Sequence, residues 1–220
     1  MKKFICALIA ILCLGVFCSC QKPYDFSKHV SQLRLNVYEG ESDNFKVTVS
    51  SEQRENPFIA DGYVGQMQNV LIIKVEFKTS SPNDATAVIN YEDQSLNATL
   101  SYNPVSGKSS AMIGVENLPK VANISVDVTS GEICEKLSLS SVIFDKTIDY
   151  LTAISAVQSS DKETVNRLFF DGEVLAEIHV RLISSNNKIY YYIGFVESDG
   201  KTSAYLVDGE SATVLAKKNF

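Results

Sequence analysis

NVLIIKVEFKT, residues 69–79, decides the fold class, because Leu71, Ile73, Val75 and Phe77 all fall on one face of the run. A repeat of two is the spacing of a strand that buries one side and wets the other. The same spacing recurs on both sides of it. Leu33, Leu35 and Val37 come first, then Phe45, Val47 and Val49. Beyond it lie Ala87–Ile89–Tyr91, Leu96–Ala98–Leu100–Tyr102, Ala111–Ile113–Val115, Ile124–Val126–Val128 and Ile133–Leu137–Leu139. Glu-Gly-Glu-Ser, Ser-Ser-Pro-Asn-Asp, Asn-Pro-Val-Ser-Gly-Lys and Thr-Ser-Gly-Glu separate the runs, and all are turn formers. Many short strands at such spacing predict an antiparallel β-sandwich over 31–144, Ig-like in architecture only, since no Cys…Trp…Cys spacing exists.

The pattern changes near Asp145. In KTIDYLTAISAVQ, Ile148, Leu151, Ile154 and Val157 recur every three residues, which predicts a helix. Ser160-Asp161-Lys162-Glu163 has the form of a capping box opening a second short helix, with Val165, Leu168 and Phe169 inward and Asp171-Gly172 as its end. Four strand-like runs follow. Val174 to Leu182 alternates, and Ser184-Ser185-Asn186-Asn187 turns into Ile189–Val196. Ser198-Asp199-Gly200 turns into Thr202–Val207, and Asp208-Gly209-Glu210-Ser211 into Thr213–Ala216. Asp-Gly between alternating runs is a strong hairpin signal. Residues 145–220 therefore read as an α+β unit, a helix laid on an antiparallel four-stranded meander.

The start of the chain reads differently. Residues 1–20, MKKFICALIAILCLGVFCSC, run from Lys2 and Lys3 through an apolar stretch, Phe4 to Val16, to small residues before Cys20. That order is a secretory signal. The stretch is short of the roughly 20 residues a spanning helix needs, although a retained single-span anchor is the rival reading. Val16-Phe17-Cys18-Ser19-Cys20 resembles the lipobox of bacterial lipoproteins, with Ser19 before the modified cysteine and Phe17 where the family carries an aliphatic residue. The resemblance implies removal of 1–19 and a lipid on Cys20, with 20–30 as a tether. It also implies a location at the extracytoplasmic face of a bacterial membrane. Of five cysteines, only Cys134 would then remain a thiol, expected to be buried and structural; a Cys20–Cys134 disulfide is the alternative.

From about Lys146 to Lys217 the chain resembles a PepSY-type domain. The matching features are the helix, the strand EVLAEIHVRL, the aromatic strand IYYYIGFVESDGK and the closing SAYLVDGESATVLAKK. Tyr205, Val207, Asp208, Val214 and Leu215 match its final hairpin, whereas Ala212 stands where the family commonly has Gly. The resemblance implies an extracytoplasmic interaction module, with restraint of peptidases or attachment to the envelope as family roles, and no catalytic residue.

Composition excludes some partners. The leader removes Lys2 and Lys3 from the 20 basic residues and none of the 26 acidic ones, so the net charge moves from −6 to about −8. That opposes nucleic-acid binding and electrostatic attraction to anionic lipid. No catalytic signature is present: no Gly-x-Ser-x-Gly, no phosphate-cradling glycine loop and no dinucleotide fingerprint. His29 lies in the tether, and His179 shares a strand face with Glu177 and Arg181 that reads as a solvent or rim face; two separated histidines make no zinc site. Asp61, Asp84 and Asp93 sit in turns without an EF-hand series, and Glu92-Asp93 point to opposite faces of a strand. No metal or other cofactor is implied. The most distinctive feature is Tyr190-Tyr191-Tyr192. Alternation puts Ile189, Tyr191, Ile193 and Phe195 on a helix-facing core and Tyr190, Tyr192, Gly194 and Val196 on the other face. Tyr190, Tyr192 and Tyr205 form the candidate binding surface, against ordinary cross-strand packing. The leading expectation is a surface-displayed, non-catalytic module for a protein or cell-wall ligand. The alternative is an envelope hydrolase whose carboxylates come together only in the fold.

Overall fold

The computed structural model describes residues 25–78, 84–170 and 173–220. Cys20, the leader and Asp171-Gly172 lie outside the described residues. After a 3₁₀ turn, Phe26–His29, come β1 (Val30–Glu41), β2 (Phe45–Glu55), β3 (Met67–Phe77), β4 (Ala85–Tyr91) and β5 (Gln94–Asn103). Then follow β6 (Lys108–Gly114), β7 (Asn123–Ser130) and β8 (Ile133–Ser141). Helices α1 (Tyr150–Ser160) and α2 (Lys162–Arg167) lead through β9 (Phe169–Phe170) and β10 (Glu173–Val174) to the last four strands. These are β11 (Ala176–Ser185), β12 (Lys188–Glu197), β13 (Thr202–Asp208) and β14 (Val214–Asn219).

The chain is mainly β, as its periodicity predicts, but the N-terminal strands close instead of forming two stacked sheets. Their order is β1-β2-β3-β6-β5-β4-β7-β8, and β8 pairs back onto β1 through Tyr38–Ser141 and Glu39–Ser140. The result is an antiparallel eight-stranded barrel. A sandwich and a barrel share the same alternation, so period two alone does not separate them. Closure depends on Gly40, where an added Cβ would lie 2.7 Å from the Ser138 carbonyl oxygen. The interior is filled by Val47, Val49, Leu71, Ile73, Val75, Ile89, Val126 and Leu139, and the small Ala85, Ala87 and Ala98 fit beside them.

β1 is also where the barrel meets the rest of the chain. One edge pairs with β2 along its length. The other edge pairs in parallel with β11 over Val30–Arg34, and then with β8 at Tyr38 and Glu39. The meander β11–β14 thereby joins the barrel in one 12-stranded sheet. The register of β1 shifts between Arg34 and Asn36. That irregularity breaks the expected Leu33–Leu35–Val37 face: Leu33 and Val37 are buried in the C-terminal core, whereas Leu35 is exposed.

The helix begins later than its three-residue spacing predicts. Asp149 caps it, its Oδ1 accepting from the Thr152 backbone N at 2.8 Å. Ala153, Ile154 and Val157 are buried, whereas Leu151 is exposed and Ile148 precedes the helix. A three-residue repeat drifts about 60° per step around a 3.6-residue helix, so four such positions cannot share one face. The second helix is capped by Asp161, not Ser160: Asp161 Oδ1 accepts from Thr164 N at 3.1 Å. α1 packs on β12 and β13. No helix among the described residues is long and apolar enough to cross a membrane.

Candidate functional site

The cross-strand register separates the three tyrosines of the expected binding surface. Tyr205 pairs with Ile193 and Tyr191 with Val207, so all four sit in the core beneath α1. Tyr205 is only 2% exposed and stacks edge-on against Phe195 with ring centroids 6.0 Å apart. Its hydroxyl donates to Asp161 Oδ2 at 2.9 Å, and Lys217 Nζ reaches the same oxygen at 2.5 Å and Thr164 Oγ1 at 2.8 Å. The bond from Lys217 holds the Asp161 carboxyl well below the carboxylate range, against a smaller opposing effect of burial. Tyr205 is therefore a clasp between sheet and helix and not a surface residue.

Tyr190 and Tyr192 do lie on the face away from the helices, both half-buried. Tyr192 stands between Arg181 on β11 and Leu206 on β13, with the Arg181 guanidinium 5.4 Å from its ring centroid. The ring folds over Gly194, where an added Cβ would lie 2.7 Å from the Tyr192 hydroxyl oxygen. A shallow cavity of about 150 Å³ opens beside it, between Tyr192, Leu206, Ala216 and Phe220. Tyr190 faces Ile183 and Asp208 instead.

A polar chain crosses from this face into the barrel wall. Arg181 Nε and Nη2 donate to Gln32 Oε1 at 3.0 and 2.8 Å, and Gln32 Nε2 donates to Glu52 Oε2 at 3.0 Å. Arg34 Nε donates to Glu52 Oε1 at 2.6 Å, and Ser50 Oγ to the same oxygen at 3.1 Å. Glu52 is fully buried. Burial pushes its carboxyl up, but the Arg34 charge and the bonds from Gln32, Arg34 and Ser50 outweigh it and hold the carboxyl below its ordinary value. The chain ties β2, β1 and β11 together at the strand that barrel and meander share.

A groove of about 410 Å³ opens at the plugged end of the barrel. The plug is the 115–122 connection, held when the Tyr38 hydroxyl donates to the Pro119 and Val121 carbonyls and the Tyr91 hydroxyl to that of Asn117. Asn36, Ser51, Gln53, Asn69, Asn117 and Lys120 supply polar groups to the groove, beside Leu35, Leu118, Pro119 and Ile143. Gln53 Nε2 donates to Asn69 Oδ1 at 3.1 Å, and Asn69 Nδ2 to the Glu116 carbonyl at 2.7 Å, which fixes both amides. Nothing in the strand pattern marks these residues. They gather because one face of β1–β3 continues past the barrel core and the plug turns over it.

Loop 56–66 overturns the expectation of a wet His179 face. It folds over the start of β11 and buries Glu177, while Phe58 meets the His179 ring at 5.1 Å between centroids. Burial first, then the Arg181 and Arg54 charges, push His179 down to about 4, so it is neutral at physiological pH. Glu177 Oε1 accepts from Asp61 N at 3.2 Å, and Glu55 Oε1 from Gly65 N at 2.5 Å. Burial and, to a lesser degree, the Glu55 charge raise the Glu177 carboxyl. These two carboxylates hold backbone of the same loop. Cys134 is exposed on β8, contrary to the expected buried thiol, with the Thr129 hydroxyl 3.5 Å from its sulfur. Among the described residues no group of three or more His, Cys, Asp or Glu side chains is placed to hold a metal ion. No protein-family model, no curated protein and no solved structure matches the chain.

Proposed function

We propose that the protein is a bacterial lipoprotein, held at the extracytoplasmic face of a membrane by lipid on Cys20, and that it works there as a non-catalytic binding module. The groove at the barrel plug carries the reading. Its walls combine fixed amides and a hydroxyl with apolar Leu35, Leu118, Pro119 and Ile143, and Lys120 is its one charged lining residue. Such a lining suits a neutral, polar segment of a protein or cell-wall ligand, held by amide hydrogen bonds over an apolar wall. It carries no nucleophile beside a base and no facing carboxylates. The helix-then-meander order of 145–220 supports a PepSY-type interaction role for that unit, peptidase restraint included, with the Tyr192 face as its contact. Capture from a cell-envelope extract tests the reading. Wild-type protein retains a ligand that Gln53→Ala/Asn117→Ala does not, and Tyr190→Ser/Tyr192→Ser reports on the second face. Equal recovery by wild type and both double variants refutes binding at either place.

A further inference from the structure

The chain enters the described structure at Asp25, and loop 56–66 sits at that same end. β1 starts there and β2 returns to it, with Gln32 opposite Arg54, so the connection after Glu55 lies beside the first residues of the fold. His29 hydrogen-bonds the Gly62 backbone directly. The loop carries Phe58, Ile59 and Tyr63, which are 42%, 56% and 66% exposed, with Leu175 at 46% beside it. An added Cβ on Gly62 would lie 3.8 Å from the Val174 carbonyl oxygen, which places Leu175 next to the loop.

These side chains are presented by a braced loop. Asn56 N donates to the Gln66 carbonyl at 3.1 Å across its base, and Asp61 N to the Ile59 carbonyl at 2.8 Å near its tip. Tyr63 N donates to Asp61 Oδ1 at 2.9 Å, and the buried carboxylates of Glu55 and Glu177 each take a loop N–H. Holding large apolar groups in water opposes solubility, and a contiguous exposed apolar patch marks a contact surface.

The anchor says what that surface meets. Cys20 is five residues before Asp25, and five residues reach at most about 17 Å. We infer that Phe58, Ile59, Tyr63 and Leu175 form a second, non-covalent contact with the bilayer, seated in the interfacial layer of the membrane that holds the lipid of Cys20. The inference rests on the lipoprotein reading. Tyr at the boundary and aliphatic groups just below it is the ordinary arrangement for interfacial attachment. The mature net charge near −8 offers no attraction to anionic headgroups, so the contact is apolar and insensitive to salt. It also fixes orientation: β1 runs away from the membrane for 12 residues, about 40 Å, and carries the barrel outward.

The chain contains no tryptophan, so a single introduced indole reports one place. Full-length acylated protein carrying Ile59→Trp is reconstituted into phosphatidylethanolamine–phosphatidylglycerol vesicles, with and without brominated acyl chains. Val105→Trp serves as the distal control, since Val105 is 96% exposed in the β5–β6 turn at the far end of the barrel. The expected result for Ile59→Trp is a blue-shifted emission that loses most of its intensity in brominated vesicles and is unchanged at high salt. The indole of Val105→Trp should be unaffected by bromine. Tyr63→Trp gives the same readout as Ile59→Trp should the latter fold poorly. Protein that floats with the vesicles while both loop variants stay as unquenched as Val105→Trp overturns the loop contact and leaves the anchor standing. Protein that does not float overturns both.

Discussion

Replacing Asp161 with Ala should unfasten the helices from the C-terminal sheet. Asp161 ends α1, caps α2 and receives both the Tyr205 hydroxyl and the Lys217 ammonium. Loss of the cap costs about 0.5–2 kcal/mol. The Tyr205 hydroxyl, on a residue only 2% exposed, loses its carboxylate partner, a further cost of about 1–3 kcal/mol. The Lys217 pair adds less than about 1 kcal/mol, because the lysine side chain is 37% exposed and solvent screens it. We expect a loss of about 2–4 kcal/mol in urea unfolding of the soluble mature chain, followed by far-ultraviolet dichroism. A lowered carboxyl contributes stability that is complete above the unfolded value, about 3.9, and is lost as pH falls through the folded value. The variant should therefore also show a shallower acid limb. Tyr205→Phe in a double-mutant cycle with Asp161→Ala should give a coupling of about 1 kcal/mol or more. A single-variant loss below about 0.5 kcal/mol, or additive behaviour in the cycle, would refute the clasp.

Three other perturbations follow from the same geometry. Ala212 has φ +57°, a left-handed conformation costly for a residue with Cβ, so Ala212→Gly should stabilise by about 0.5–1 kcal/mol in the same urea assay. Glu52→Ala strands Arg34 in a half-buried site and breaks the link from Arg181, and should cost about 3–5 kcal/mol, with faster amide exchange in β1 and β11. His179 is lowered from 6.5 to about 4, so the unfolded chain binds its proton first as pH falls; stability should drop by up to about 3 kcal/mol between pH 6.5 and 4, and His179→Gln should remove that slope in pH-dependent melts.

The period-two runs state the strand content plainly, and the Asp-Gly turns state the hairpins of the meander. Barrel closure is less legible, because it rests on Gly40 and on two residue pairs at the end of β1 and β8. The parallel pairing of β1 with β11 is a contact between residues roughly 150 apart, with no local signal. Leu35 misleads because a register shift reverses alternation where the sequence shows none. His179 and Glu177 alternate with core residues as solvent-facing groups do, and only the placement of loop 56–66, itself neither helix nor strand, covers the first and buries the second. Tyr205 is legible: the Ser198-Asp199-Gly200 turn that joins β12 to β13 and the core position of Ile193 together fix its partner and its face. The groove amides Asn36, Gln53, Asn69 and Asn117 come from four separate segments, and no spacing rule gathers them.

Attachment through Cys20 is read from the intact mass of protein extracted from membranes. The extracted chain should begin at residue 20 and carry the added mass of acyl groups on that cysteine, with Cys134 as its one free thiol. A mass showing residue 20 unmodified, or a chain that still carries residues 1–19, would contradict it.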